Sequence, residues 1–461
     1  MLRQIYIPQW SEDLQSAFTA YLNNYVAMFL GPQGGVSYLY RNTPDTPWCL
    51  YSKERVREIL NKFNTKVTYV SDGVVKSHHI RIFETWMTNI NRREITKVIL
   101  NTTYMGDDPE HPEIWNVWTG FNVRPEKVID NSIIEPILYH IKEVYCCGDE
   151  RKYNCFLDWL THLVKEPSKK IGTAFILRGP QGAGKNIILD WFGRSVIGSQ
   201  HYHEYNCMED LLNRFNSDSE YKIFCICNEI SNWGGCLKTN DILKNRITNQ
   251  RTRIEKKGID AVSAEDYQNF IFTTNNDWVV RVTSDDRRYN VLETSAKHKG
   301  DAQYFSKLAR CLEQVETAEH FLGYLFSRPL NCVCGGKFVS DTNATLINVH
   351  EAIWTEEKKD LLSMSKESIT SFVDCISEGK IHFLNHTTLN DGRIAVNNPD
   401  LYRSYCTYHD QGNFASRKLD IQKFGIAFRK EIERFPLLIE KKVMGPKECR
   451  IKGWAIRATT N

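Results

Sequence analysis

An α/β protein built around a phosphate-binding loop is what the sequence predicts, and three observations predict it. The apolar run Ala174 to Leu177 leads into Gly179-Pro180-Gln181-Gly182-Ala183-Gly184-Lys185-Asn186, and then into Ile187, Ile188 and Leu189. Two further apolar runs, Tyr221 to Cys227 and Phe270 to Thr274, each end in polar residues. Near the C-terminus, two helical patterns followed by two strand patterns make a basic unit in the order of a winged helix.

The first observation is strand, glycine loop, helix, with the spacing G-x-x-x-x-G-K. Glycines let successive backbone N–H groups converge on phosphate oxygens. The helix N-terminus adds its dipole, and Lys185 a full charge. Residues Gly179 to Asn186 are therefore the candidate ATP-binding loop. The Ser or Thr that usually follows the lysine and holds Mg²⁺ is here Asn186, whose amide oxygen is the candidate ligand.

The second apolar run ends in Asn228-Glu229, with Glu229 44 residues after Lys185. An ATPase of this kind needs an acidic group at a strand end beside the loop, to orient the attacking water. Glu229 is the candidate for that role, and Asn228 a candidate supporter of magnesium. The third run, Phe270 to Asn276, ends in two asparagines. Asn275 is the candidate γ-phosphate sensor, with Asn276 second. Asp285-Asp286-Arg287-Arg288 follows, and either arginine could neutralise transition-state charge on a neighbouring subunit's nucleotide. Between the second and third runs, Arg251 to Asp266 reads as a β-hairpin. Lys256 and Lys257 at its tip are candidate nucleic-acid contacts.

Upstream, residues 1–128 read as a mixed α/β domain. Tyr25 to Leu30 and Val36 to Tyr40 flank a glycine turn, and Ser52 to Phe63 is a capped helix. Trp115 to Phe121 reads as core. Residues 129–168 read as a helical bundle, with one stripe through Ile134, Ile137, Ile141 and Val144 and another through Phe156, Leu160 and Leu163. The nucleotide domain spans 169–330. Residues 331–395 read as a helical connector, and 396–461 as the winged-helix-like unit. Between Arg417 and Arg457 that last unit carries 12 basic residues against 5 acidic ones, a local footprint for phosphates. Gln422, Lys423, Arg429 and Lys430 are its candidate DNA contacts.

The whole chain is far less polarised. At 461 residues, 41% hydrophobic, 25% charged and +3 in net charge, it reads as an ordinary multi-domain globular protein, and any basic surface must be local. The 14 cysteines form no dense framework, and Cys225 and Cys227 lie in an apolar strand, so free thiols in a reducing compartment are expected. No second ligand pair at zinc spacing accompanies Cys332 and Cys334. MLRQIYIPQWSEDLQ has no signal-peptide core, and no apolar run is long enough to span a membrane.

Taken together, RGPQGAGKN, FNSDSEYKIFCICNEIS, RIEKKGIDA and FTTNNDWVVRVTSDDRRYNVLETS resemble superfamily 3 helicases, more closely the helicase part of poxvirus-type primase-helicases of phages, plasmids and large DNA viruses. WNVWTGFNVRP and FLDWLTHLVKEP resemble that family's lead-in, and RIKGWAIR its C-terminal winged domain. The resemblance implies an AAA+ ATPase core that assembles as a homo-hexameric ring on single-stranded or forked DNA and uses ATP and Mg²⁺. Lys185, Glu229 and Asn275 would act in cis, and Arg287 or Arg288 in trans. It also implies a place in the replication of a virus, phage or mobile element, with a separate primase or polymerase as partner. The setting would be the host cytoplasm, or else the nucleus or a viral replication site. No primase carboxylate constellation stands out in residues 1–128, so a helicase without its primase is expected. Two alternatives stay open: an origin-loading ATPase with weak hydrolysis, and a non-helicase AAA+ motor.

Overall fold

The computed structural model describes residues 12–31, 35–44, 46–62, 65–71, 73–213, 216–228, 237–255, 262–276, 280, 282–329, 332–334, 337–339, 349–365, 368–383, 385–411, 418–435, 439–444 and 451–457. Its centre is a five-stranded sheet: β1 (Ala174–Arg178), β2 (Tyr202–Tyr205), β3 (Phe224–Cys227), β4 (Asn269–Thr274) and β5 (Tyr289–Glu293). The strands run parallel in the order β2-β3-β4-β1-β5. β1, β3 and β4 are buried along their whole length, which is why they read as unbroken apolar runs rather than as alternating ones.

Alternate side chains enter two different cores. Phe175 and Leu177 join Ile188, Phe192, Phe224, Ile226, Ile271 and Leu292 on one face. Ala174 and Ile176 join Cys225, Cys227, Phe270, Phe272 and Val291 on the other. Helices Asn131–Tyr139 and Glu150–Lys165 cover the first face, together with Val315–Ser327. The second is covered by Leu243 and Ile247 of helix Leu237–Thr248 and by Leu361. The stripes through Ile137, Ile141, Phe156 and Leu160 thus share a core with the sheet. Burying each such side chain contributes about 1.5–3 kcal/mol.

The N-terminal region has its own four-stranded sheet and core. Val26–Leu30 pairs antiparallel with Val36–Tyr40 and parallel with Glu94–Ile95. Helix Lys53–Asn61 starts at Ser52, whose hydroxyl accepts from the Arg55 amide. Val56 and Leu60 carry it into a core with Phe83 and Trp86. Trp118 stacks on His201 with ring centroids 4.8 Å apart, and the Asn122 amide donates to Val196 O, so this stretch fastens onto the central unit.

Arg251–Ile254 and Val262–Glu265 form an antiparallel hairpin. Lys256 and Lys257 lie outside the described residues, as does Glu229. In the C-terminal region, helix Ser368–Ser377, strand Ile394–Asn397, helices Asn398–Gln411 and Ile421–Ile432, and strands Ile439–Met444 and Ile451–Ile456 follow in order. Ile451–Ile456 lies between the other two strands, antiparallel to both. One core joins Phe372, Tyr405, Phe424, Phe428 and Trp454. Helix Ile421–Ile432 turns Phe424, Phe428 and Ile432 inward and leaves Gln422, Lys423, Arg429 and Lys430 exposed. None of the described helices is long and apolar enough to cross a membrane.

Candidate nucleotide site

In an open parallel sheet, ligands gather outside the carboxyl ends of the strands. Here those ends hold a row of polar groups. The loop Gly179 to Asn186 leaves β1 and rises into a helical run, Ile187–Trp191 continued by Phe192–Ile197. Asn275 leaves the neighbouring β4, Asn228 leaves β3, and Glu204 stands near the end of β2. A pocket of about 280 Å³ is lined by Gln181 to Ile187 and by Thr273, Thr274 and Asn275.

Two of the glycines are required by their surroundings. A Cβ on Gly179 (φ +152°) would sit 2.1 Å from Thr294 Oγ1. On Gly184 (φ +91°) it would meet Phe305 at 2.7 Å and His140 at 2.9 Å. Both positions combine positive φ with backbone packed against a neighbour.

Lys185 folds back over the loop. Its Nζ donates to Gly179 O at 2.6 Å, Pro180 O at 2.9 Å and Asn275 Oδ1 at 2.8 Å. Burial pulls its ammonium below the ordinary lysine value, and Glu293 opposes the fall. The lysine thus touches the residue expected to sense the outer phosphate. Phosphate oxygens could take over its bonds to the loop carbonyls without moving the backbone.

Asn186 and Asn228 meet. Asn186 Nδ2 donates to Asn228 Oδ1 at 2.7 Å, and Thr273 Oγ1 donates to the same oxygen at 3.1 Å. Asn228 Nδ2 donates to Glu204 Oε1 at 2.7 Å. Both ends of the Asn228 amide are therefore engaged, whereas Asn186 uses its nitrogen and, among the described residues, keeps its oxygen. That hard, neutral donor on a pocket-lining residue fits a magnesium ion held mainly by phosphates and water. Among the described residues, no group of three or more His, Cys, Asp or Glu could hold a metal by itself.

Two supports were not visible in the sequence. The π-helical turn His140–Tyr145 carries both. Tyr145 OH donates to Lys185 O at 2.6 Å, and His140 Nε2 lies 3.1 Å from Gly184 O. A carbonyl only accepts, so His140 Nε2 carries the proton. Burial lowers this imidazole to about 4, so it is neutral, and Nδ1 accepts from Tyr304 OH at 2.8 Å. A shift of register within an otherwise apolar helix gives no signal in composition.

Asp190, one turn after Asn186, is a half-buried acid. Burial, and then the charge of Glu204, raise its carboxyl from 3.8 to about 6. The unfolded chain releases this proton at the lower value and the folded chain at the higher. Asp190 therefore subtracts stability progressively between them, and fully above about pH 6. Asp190→Asn is expected to raise Tm above pH 6, with a gain that shrinks as pH falls and vanishes below 3.8. A gain independent of pH would contradict this.

The arginines lie at the other end of the sheet. Arg288 O accepts from the Ala174 amide, at the start of β1. The loop begins after Arg178, about 15 Å further along the strand. Arg287 is exposed and Arg288 half-buried. Asp286 fixes their turn: its Oδ1 accepts from the amides of Arg288 and Tyr289, and it pairs with the buried Lys358 at 3.2 Å. Neither arginine reaches the loop of its own chain.

A family of unknown function, DUF5906, matches residues 177–288. A DNA primase-polymerase of Nitratiruptor phage NrS-1 is 23% identical over 303 residues, which is 62% of this chain and 39% of that protein. The chain thus spans about two fifths of the length of this curated relative. Among solved structures, an apo structure of the NrS-1 C-terminal region is 17% identical with a TM-score of 0.63, covering 97% of this chain and all of that one. A second, in an A form, is 17% identical with a TM-score of 0.62 over 96% and 98%. The chain is therefore similar in sequence to part of a phage DNA primase-polymerase, and it shares the fold of that protein's C-terminal region.

Proposed function

We propose that the chain is an ATP-driven motor that translocates on DNA and separates strands during genome replication of a phage or related element. The observation that carries this reading is Lys185 held between the loop carbonyls and Asn275, at the carboxyl ends of two adjacent parallel strands. A nucleoside triphosphate would lay its phosphates along Gly182 to Lys185. The backbone N–H groups and the lysine would hold the negative charge, and Asn275 would lie beside the outermost phosphate. Asn186 Oδ1 would hold magnesium, which supplies charge neutralisation between the phosphate oxygens. Glu229 would orient the attacking water. A parallel sheet in the order β2-β3-β4-β1-β5, with the loop leaving the strand between β4 and β5, supports the AAA+ core that the superfamily 3 resemblance implies, and the similarity to a phage primase-polymerase supports a replication role.

In this reading the subunits form a closed ring, a hexamer, with nucleotide at each interface and the hairpin tip, Lys256 and Lys257, facing DNA. In the same reading the C-terminal unit acts as a winged helix and offers its helix Ile421–Ile432 to phosphates. Replacing Lys423, Arg429 and Lys430 with alanine is expected to weaken single-stranded DNA binding. It should also flatten the log–log salt dependence by roughly 0.7 for each phosphate no longer neutralised. Undiminished affinity and slope would remove this face from the interface. A second reading, tight ATP binding with slow turnover for origin loading, is favoured by the neutral Asn186–Asn228 pair. Strand displacement on a forked duplex separates the two: ATP-dependent unwinding supports the motor, and loading without displacement supports the loader.

A further inference from the structure

The amide chain at the strand ends has a direction. Glu204, as a carboxylate, only accepts, so Asn228 must turn its nitrogen toward it. Asn228 Oδ1 then faces Thr273 and Asn186. Because it accepts, Asn186 must also present its nitrogen. Each amide donates toward the carboxylate, and a hydrogen-bonded chain of this kind polarises along its length. Partial negative charge is pushed outward onto Asn186 Oδ1, the amide oxygen at the far end of the chain from the carboxylate. The second oxygen of Glu204 pairs with Arg194 at 2.9 Å, which fixes the carboxylate from the solvent side. Asp190 is close enough to feel the same charge.

We propose that Glu204 is the positioning carboxylate of the magnesium–nucleotide site, acting through Asn228 on Asn186. The charge that a strand-end aspartate would bring at position 228 stands instead one strand further away. The inference rests on the ATP-site reading above and names the residue that tunes its metal. Nothing in the loop motif points to β2. Its carboxylate is legible only once β2 and β3 are seen side by side, with Glu204 opposite Ile226, two residues before Asn228.

The test is equilibrium binding of a fluorescent ATP analogue, the N-methylanthraniloyl derivative, titrated with and without magnesium chloride. Wild-type protein should bind in both conditions and more tightly with the metal. Glu204→Gln should leave metal-free binding unchanged, because Lys185 and the loop are untouched. Its magnesium affinity in the complex should fall about 10- to 100-fold, as is usual when a partner of a metal ligand is lost. Asn228→Asp alone sets two carboxylates at hydrogen-bonding distance, where they share a proton, so it should not improve magnesium binding. Glu204→Gln combined with Asn228→Asp moves the charge inward and should restore the magnesium effect. That rescue also separates the proposal from a role confined to the Arg194 pair, since the double variant lacks that pair too. If Glu204→Gln changes Tm but keeps the full magnesium effect, or if the double variant is no better than the single, the proposal is overturned. Wild-type protein that binds no analogue in either condition overturns the ATP-site reading itself.

Discussion

Lys185→Ala is expected to abolish ATP hydrolysis and every activity that depends on it, while the fold survives. The side chain ends in three hydrogen bonds to the loop and Asn275, not in a hydrophobic core. Removing it takes a donor from the buried Gly179 O and from Pro180 O, a cost of about 1–3 kcal/mol that leaves the hydrophobic cores untouched. In the proposed site its loss removes the full charge that would meet the outer phosphates. Thermal unfolding should therefore shift little, whereas hydrolysis of ATP should fall to background. Hydrolysis near the wild-type rate would mean that the loop binds no phosphate.

The second large effect belongs to the arginines. Arg287→Ala is expected to lower hydrolysis on the order of 10³-fold, the scale of a missing arginine finger. Its own loop is intact, and in a head-to-tail ring it still offers Lys185 to a neighbour. The Lys185→Ala chain has the reverse defect. In a ring assembled from equal amounts of the two, about a quarter of the heterologous interfaces pair an intact lysine with an intact arginine. Mixing two inactive proteins should therefore restore part of the ATPase. Recovery with Arg287→Ala but not Arg288→Ala would assign the finger to the exposed residue. No recovery in rings verified to be mixed would confine both arginines to the turn that Asp286 holds.

What could be read in the sequence was local. The loop, the apolar strands on either side of it and the Arg251–Glu265 hairpin are contiguous patterns with known periods. Helix Lys53–Asn61 is legible from Ser52 and the spacing of Val56 and Leu60. What could not be read was which strands lie side by side. The order β2-β3-β4-β1-β5 depends on crossovers, and it alone brings Glu204, Asn228 and Asn275 to one edge. In isolation Glu204 looks like a solvated charge between His203 and Tyr205. The stripe through Ile134, Ile137 and Ile141 reads as a bundle, because a helix records that it has an apolar face but not what covers it. The Asp286–Lys358 pair joins residues 72 positions apart, so the tetrad looks like a solvated turn until the fold closes it. Helix Ser368–Ser377 shows in the sequence as a helix, but its place in the core of the last unit, through Phe372 and Tyr405, needed the tertiary structure.

The most direct measurement of an ATP-driven DNA motor is the steady-state ATPase rate of the unaltered chain, taken with magnesium and with increasing single-stranded DNA. A motor couples its grip on the backbone to its nucleotide cycle. The rate should rise with DNA, saturate, and lose its stimulation as salt competes for the phosphate contacts. An ATPase rate indifferent to DNA at every salt concentration, or no hydrolysis at all, would contradict a motor acting on DNA.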